Sequence, residues 1–261
     1  MCLIIFAHQI RPQIPLVLAA NRDEFFSRPT QHAAFWESEL GPSPILAGKD
    51  LKAGGTWIGI ALNGRFAAVT NIRGPLEVEH KPLSRGHLTL QFLLGVKSPA
   101  EFANDLTANF TQYAEFNLLL GDKDNLVYVN SSEKVISKLQ PGIYGLSNGL
   151  LNSNWPKVNR GREEIKDMME YEQNLTTDDL ITMMYHRDEA ACELLPETGI
   201  PIELEQQLSS SFVTNPERNY GTLCSTAIII SDSGLTQFNE QNYDESGSPT
   251  EQHYYEFHQH L

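Results

Sequence analysis

Two apolar stretches near the start of the chain, Cys2-Leu3-Ile4-Ile5-Phe6-Ala7 and Pro15-Leu16-Val17-Leu18-Ala19-Ala20, decide the fold. Both are short and apolar, and each is expected as a strand. Between them, Gln9-Ile10-Arg11-Pro12-Gln13 reads as a turn, because proline disfavours a continuous strand. An antiparallel pair brings the start of the first strand and the end of the second to one sheet edge. That edge would carry Cys2 from one strand and Asn21-Arg22-Asp23-Glu24 from the other.

Working outward, residues 25–44 read as a loop region with prolines at 29, 42 and 44. The segment 56–60 is expected as a strand, after a glycine-rich centre at Gly54-Gly55. Asn63-Gly64 signals a hairpin into a strand over 66–70. Residues 86–95 and 99–110 have helical composition, with Ser98-Pro99 as cap and first position. Strands are expected at 116–120, 126–129 and 142–147, and helices at 158–171 and 177–190. An apolar strand over 224–230 pairs with 235–238 across Ser231-Asp232-Ser233-Gly234. The stretch 239–261 is polar, acidic and aromatic, and its His253, His258 and His260 read as solvated surface. Strands pair locally and helices come in pairs. This argues for α+β with antiparallel sheets covered by helices, rather than a doubly wound parallel sheet. A single domain over 1–261 is expected.

The chain has 261 residues, 19 basic and 33 acidic, for a formal net charge of -14. That balance disfavours a general nucleic-acid or anionic-membrane surface, while leaving room for a small anion held by local arginines. Three cysteines, Cys2, Cys192 and Cys224, are too few and too oddly spaced for a disulfide framework or a zinc site. No signal peptide, membrane span or cofactor motif is recognisable, so a cytoplasmic protein without a cofactor is expected. The glycines at 54–55 do not match a nucleotide-binding loop and are read first as a turn.

Cys2 is the residue with chemistry to offer. Initiator methionine is normally removed before a small residue, so the mature chain is expected to begin at Cys2. One residue would then hold a thiol nucleophile and an α-amine of similar pKa, able to exchange protons. The competing reading is a small buried hydrophobe at the head of a strand. Cys224, at the head of another apolar run, is read as buried and inert.

Met1-Cys2, Asn21-Arg22-Asp23-Glu24-Phe25, Arg28-Pro29, Ala53-Gly54-Gly55-Thr56-Trp57, Thr70-Asn71, Ser84-Arg85-Gly86, Leu146-Ser147-Asn148 and Tyr220-Gly221-Thr222 form a set. Together they resemble the NRDE family, that of the transport and Golgi organisation protein 2, over essentially the whole chain. The family in turn is similar to the N-terminal nucleophile hydrolases of the conjugated bile acid hydrolase and penicillin V acylase type. The resemblance implies a four-layer αββα sandwich with two stacked antiparallel sheets. It implies catalytic roles for Cys2 as nucleophile, Arg22 and Asp23 as its electrostatic and amine-holding partners, and Asn71 and Asn148 as oxyanion donors. Asn21, Gly54, Gly55, Thr56, Trp57 and Arg73 are the candidate substrate-binding residues. One position departs from the pattern. Family members often carry arginine after Tyr-Gly-Thr, where this chain has Leu223, and Arg218 or Arg73 would have to supply the charge.

Two functions of different class follow. One is a cysteine amidohydrolase cleaving a small acyl amide. The other is a non-catalytic protein that keeps the fold and handles a small ligand, lipid or haem. The expected partner is a small-molecule amide or hydrophobic ligand.

Overall fold

The computed structural model describes residues 2–36, 41–74 and 81–260. In chain order the strands are β1 (Cys2–Arg11), β2 (Ile14–Phe25), β3 (Thr30–Trp36), β4 (Ile45–Asp50), β5 (Ile58–Ala61), β6 (Phe66–Asn71), β7 (Phe116–Gly121), β8 (Leu126–Asn130), β9 (Val135–Lys138), β10 (Gly142–Leu146), β11 (Thr214–Asn215), β12 (Tyr220–Ile230), β13 (Leu235–Tyr243) and β14 (Pro249–His258). The α-helices are α1 (Gly86–Leu94), α2 (Pro99–Leu106), α3 (Pro156–Tyr171), α4 (Thr177–Met183) and α5 (Ile202–Gln207). The chain forms two compact units, each assembled from separated segments. Met1–Ser27, Arg73–Glu77 and Pro141–Glu256 make the first; Arg28–Ile72, Val78–Gln140 and Phe257–Leu261 make the second.

The sheet of the first unit has the order β10-β1-β2-β12-β13-β14, with β11 paired to β12. Its pairings from β10 through β13 are antiparallel. Strand side chains alternate between faces. Leu3, Ile5, Ala7, Val17, Ala19, Ala227 and Ile229 therefore share one face, where they pack with Val158, Ile165 and Met169 of α3 and Leu180, Ile181 and Met183 of α4. A Cβ on Gly161 would fall 2.6 Å from Ile5, so this glycine lets α3 ride close to β1. Ile4, Phe6, Leu18 and Ile228 on the opposite face are equally buried. Burial on both faces explains why these strands read as continuous apolar runs.

The second unit holds a seven-stranded antiparallel meander, β3-β4-β5-β6-β7-β8-β9. Its core joins Leu88, Phe92 and Leu93 of α1 and Ala103 and Leu106 of α2 to Ala67, Val69, Leu118, Leu120, Val127 and Val129. The predicted start of α2 is a capping box between Ser98 and Glu101 with Pro99 at the first turn.

The α+β class with two antiparallel sheets agrees with the local strand pairing in the sequence. Several elements differ in extent. Strand β1 runs on to Arg11 past an irregularity at Gln9, whose φ is 52°, and only Pro12-Gln13 turns. The expected loop at 25–44 contains β3, with residues 37–40 outside the described set. The polar stretch 239–260 completes β13 and forms β14. Helix α4 stops at Met183, well short of residue 190. Among the described residues no helix is long and apolar enough to cross a membrane.

Candidate functional site

Register sets the site. Cys2 lies opposite Arg22, and Arg22 lies opposite Cys224 on β12. Directly opposed residues share a sheet face, so these three side chains form a row. Asn21 and Asp23, one residue away on β2, belong to the helix-covered face. Thr222 pairs with Asp23 and Cys224 with Arg22, which makes Leu223 the extra residue of a β-bulge.

The polar groups of this edge are held mainly by the protein itself. The Thr222 hydroxyl donates to the Asp23 carboxylate at 2.7 Å, and its oxygen accepts the Val213 N–H at 2.9 Å. The Tyr220 hydroxyl donates to the Asp23 carbonyl at 3.1 Å. Asn21 donates to the carbonyls of Met184 and Ser211 at 2.9 and 2.8 Å and accepts from Ser225 at 2.6 Å. The Ser147 hydroxyl donates to the Cys2 carbonyl at 3.1 Å and lies 3.4 Å from Asn148 Oδ1. The Asn148 carbonyl accepts the Arg73 N–H at 2.7 Å. Cys2, Ser147, Asn148 and Arg73 are thus one chain of contacts within the first unit.

Burial dominates the electrostatics. It pushes the Cys2 thiol up, Asp23 adds to the rise, and Arg22 opposes it. Burial also raises the Asp23 carboxyl, against Lys157, the Thr222 hydrogen bond and Arg73. Cys224 is driven far above the ordinary thiol value by burial, in keeping with an inert core residue.

Lys157 is the residue that sequence reasoning missed. It sits in the first turn of α3, only 2 % exposed, and donates to the Leu208 carbonyl at 2.8 Å. Burial, followed by the charge of Arg73, lowers its amine to about 8. The legible signal was Trp155-Pro156-Lys157: proline fixes a helix start, where a cation opposes the helix dipole. Arg73 itself is buried, ion-paired to Glu205, with its guanidinium 4.7 Å from the Trp155 ring centroid. Arg218, the other cation considered for the charge missing at Leu223, is exposed in a short 3-10 turn.

The remaining sequence candidates belong to the second unit. Asn71 ends β6 opposite Phe116 and is half-buried. Gly54, at φ +79°, and Gly55 close a turn in which Gly54 N–H donates to Asp50 and Asp50 N–H donates to Gly55. A Cβ on Gly55 would meet the Gly86 backbone at 2.4 Å, so the start of α1 also demands glycine there. Thr56 is buried with its hydroxyl on the Ile58 carbonyl, and Trp57 packs across Gly48.

The first unit has a cysteine at the head of an interior strand and helices on one face of its sheet. Over 99% of the chain and 98% of the partner, the structure superposes on a mutant conjugated bile acid hydrolase from Clostridium perfringens with a TM-score of 0.52 at 10% identity. A second variant of that enzyme gives 0.51 over the same shares. Residues 1–245 match the family model described as Transport and Golgi organisation 2, and the chain belongs to that family. Among curated relatives, the Homo sapiens Transport and Golgi organization protein 2 homolog is 34% identical over 98% of this chain and 99% of its own. The Bos taurus homolog is 34% identical over 93% of both chains, and the Drosophila melanogaster protein 25% over 92% of both.

Proposed function

We propose that the protein handles a small acyl ligand at the Cys2 edge of its first sheet, on a frame inherited from amide hydrolases, without routine turnover. The observation that carries this reading is the setting of Cys2, half-buried at the head of β1 next to Asp23. A nucleophilic cysteine needs its thiolate, and here burial pushes the thiol up. Leu223 at the bulge points the same way, since it puts an apolar residue where the resembled family pattern often carries arginine. The names of the relatives refer to transport and Golgi organisation rather than to hydrolysis. In this proposal Asn148, Arg73 and Arg22 face the ligand. Asn21, whose amide is engaged within the fold, positions the edge. In the second unit, Asn71 and the segment Gly54, Gly55, Thr56 and Trp57 are proposed separately as ligand contacts.

A second reading keeps its own support, the cross-strand placement of Cys2 against Arg22 beside Asp23. Removal of Met1, which lies outside the described residues, would free the Cys2 amine. The thiolate would then attack the amide carbonyl, the amine would carry the proton to the leaving nitrogen, and Asn148 would donate to the oxyanion. Each oxyanion donor is worth about 3 kcal/mol in such sites.

Equilibrium dialysis with N-octanoylglycine, with glycine release followed in the same samples, tests the proposal. Stoichiometric binding retained in Cys2→Ala, with no glycine released, is expected. Glycine release that Cys2→Ala abolishes would transfer the assignment to the amidohydrolase.

A further inference from the structure

Beside the Cys2 edge, within the first unit, Arg73 has a grip that none of the described residues takes. Its side chain is 4% exposed, and Nη1 is paired with Glu205. Its Nε and Nη2 are buried and have no hydrogen-bond partner among the described residues. These two donors lie along one edge of the planar guanidinium. They form the fork that holds a carboxylate or phosphate through two parallel hydrogen bonds. Leaving such donors buried and unmatched costs free energy that a protein normally avoids. Trp155 stacks on the guanidinium and fixes the plane of the fork. Glu205 is held in turn by the Thr198 hydroxyl, so the arginine cannot swing away without breaking a buried ion pair.

Lys157 supplies a second cation to the same cluster. Its ammonium has three N–H groups, and Leu208 takes one. It stands in the first turn of α3, whose cap residue Trp155 offers no side-chain acceptor. The charges acting on it are Arg73, Asp23, Cys2 and Glu205. Arg73 and Lys157 thus stand with Asp23 and Glu205 in one buried cluster, at a helix N-terminus that favours an anion.

We propose that Arg73 and Lys157 form an oxyanion subsite next to Cys2, and that the ligand of the Cys2 edge carries a carboxylate or phosphate. The subsite deepens the ligand-handling reading and is measured independently of it. Full-length protein is heated in sodium succinate, in sodium phosphate and in sodium chloride at matched ionic strength, as wild type, Lys157→Met and Arg73→Gln/Glu205→Gln. The paired change avoids stranding Glu205 as a lone buried charge. The expected result is a concentration-dependent rise in midpoint with succinate or phosphate over chloride. Apparent affinity should fall about tenfold or more in Lys157→Met, as loss of a charged hydrogen bond implies. A response to succinate alone assigns a carboxylate head, and to phosphate alone a phosphate head. Equal midpoints in all three salts, or an anion response unchanged in Lys157→Met, overturn the subsite. Failure of N-octanoylglycine to bind, with the anion response intact, would count against the acyl-ligand reading and leave the subsite standing.

Discussion

Asn21 opens the Asn-Arg-Asp-Glu signature, yet its amide is fully engaged in structure: two carbonyls and one hydroxyl absorb it. Asn21→Ala should therefore destabilise the protein by about 3 kcal/mol, because buried partners are left unmatched. Cys2→Ala, at a half-buried strand head, should cost under about 1 kcal/mol. Urea unfolding of the two variants checks the contrast, and a Cys2→Ala loss as large as that of Asn21→Ala would make Cys2 a core residue. Thr222 is the complementary case. It donates to Asp23 and accepts from Val213, so Thr222→Val breaks both bonds. The Asp23 carboxyl, already raised by burial, should rise further in Thr222→Val. Carboxyl NMR titration reads the direction, and a fall would contradict the assignment. Sequence reasoning found Asn21, Arg22 and Asp23 as a cluster because four polar residues at the end of an apolar run are conspicuous. It could not sort them, because the face each occupies depends on pairing register.

The start of α3 is the element with most to test. Lys157 has its pKa lowered to about 8, below its unfolded value. The unfolded chain thus holds the proton more tightly, so stability rises with pH between about 8 and the ordinary lysine value. Below pH 8 the folded protein bears the full cost of the buried cation. Lys157→Met should then raise unfolding free energy at pH 7 by roughly 1–3 kcal/mol, after loss of the Leu208 hydrogen bond. The gain should shrink by pH 10. Urea titrations at the two pH values measure it, and destabilisation at pH 7 would refute the reading. Such a stabilising loss is what a functional residue held against the fold's interest produces. Other elements show where sequence legibility ends. Helix α4 reads as running to residue 190, but Asn21 takes the Met184 carbonyl just past its end, and the chain departs toward Phe212. That partner is 163 residues away and invisible locally. Strand β14 is masked by its polarity, although His253, Tyr255 and Phe257 alternate as its half-buried face. Strand β3 is hidden by the prolines around it.

At the scale of the molecule, neither unit is a continuous piece of chain. Unfolding either one releases segments whose continuations build the other. We therefore expect one calorimetric transition, with van't Hoff and calorimetric enthalpies in agreement. Two resolved transitions would mean that the units are independent domains. The fold class and the family signature were legible because strand pairing is local and the motif residues cluster at strand ends and turns. The cluster of Arg73, Lys157 and Glu205 was not, since it joins three distant segments of chain.

In the proposed function the Cys2 edge handles a ligand beside a resting, neutral thiol. The most direct test is the pH dependence of iodoacetamide alkylation, read by intact mass. It should use a Cys192→Ser chain, because Cys192 is exposed and would label first. Met1 retention is read in the same spectrum. The account predicts a single adduct, absent when Cys2→Ala is added, whose rate inflects above the ordinary thiol value. An inflection at or below neutral pH would contradict it and establish Cys2 as an activated nucleophile.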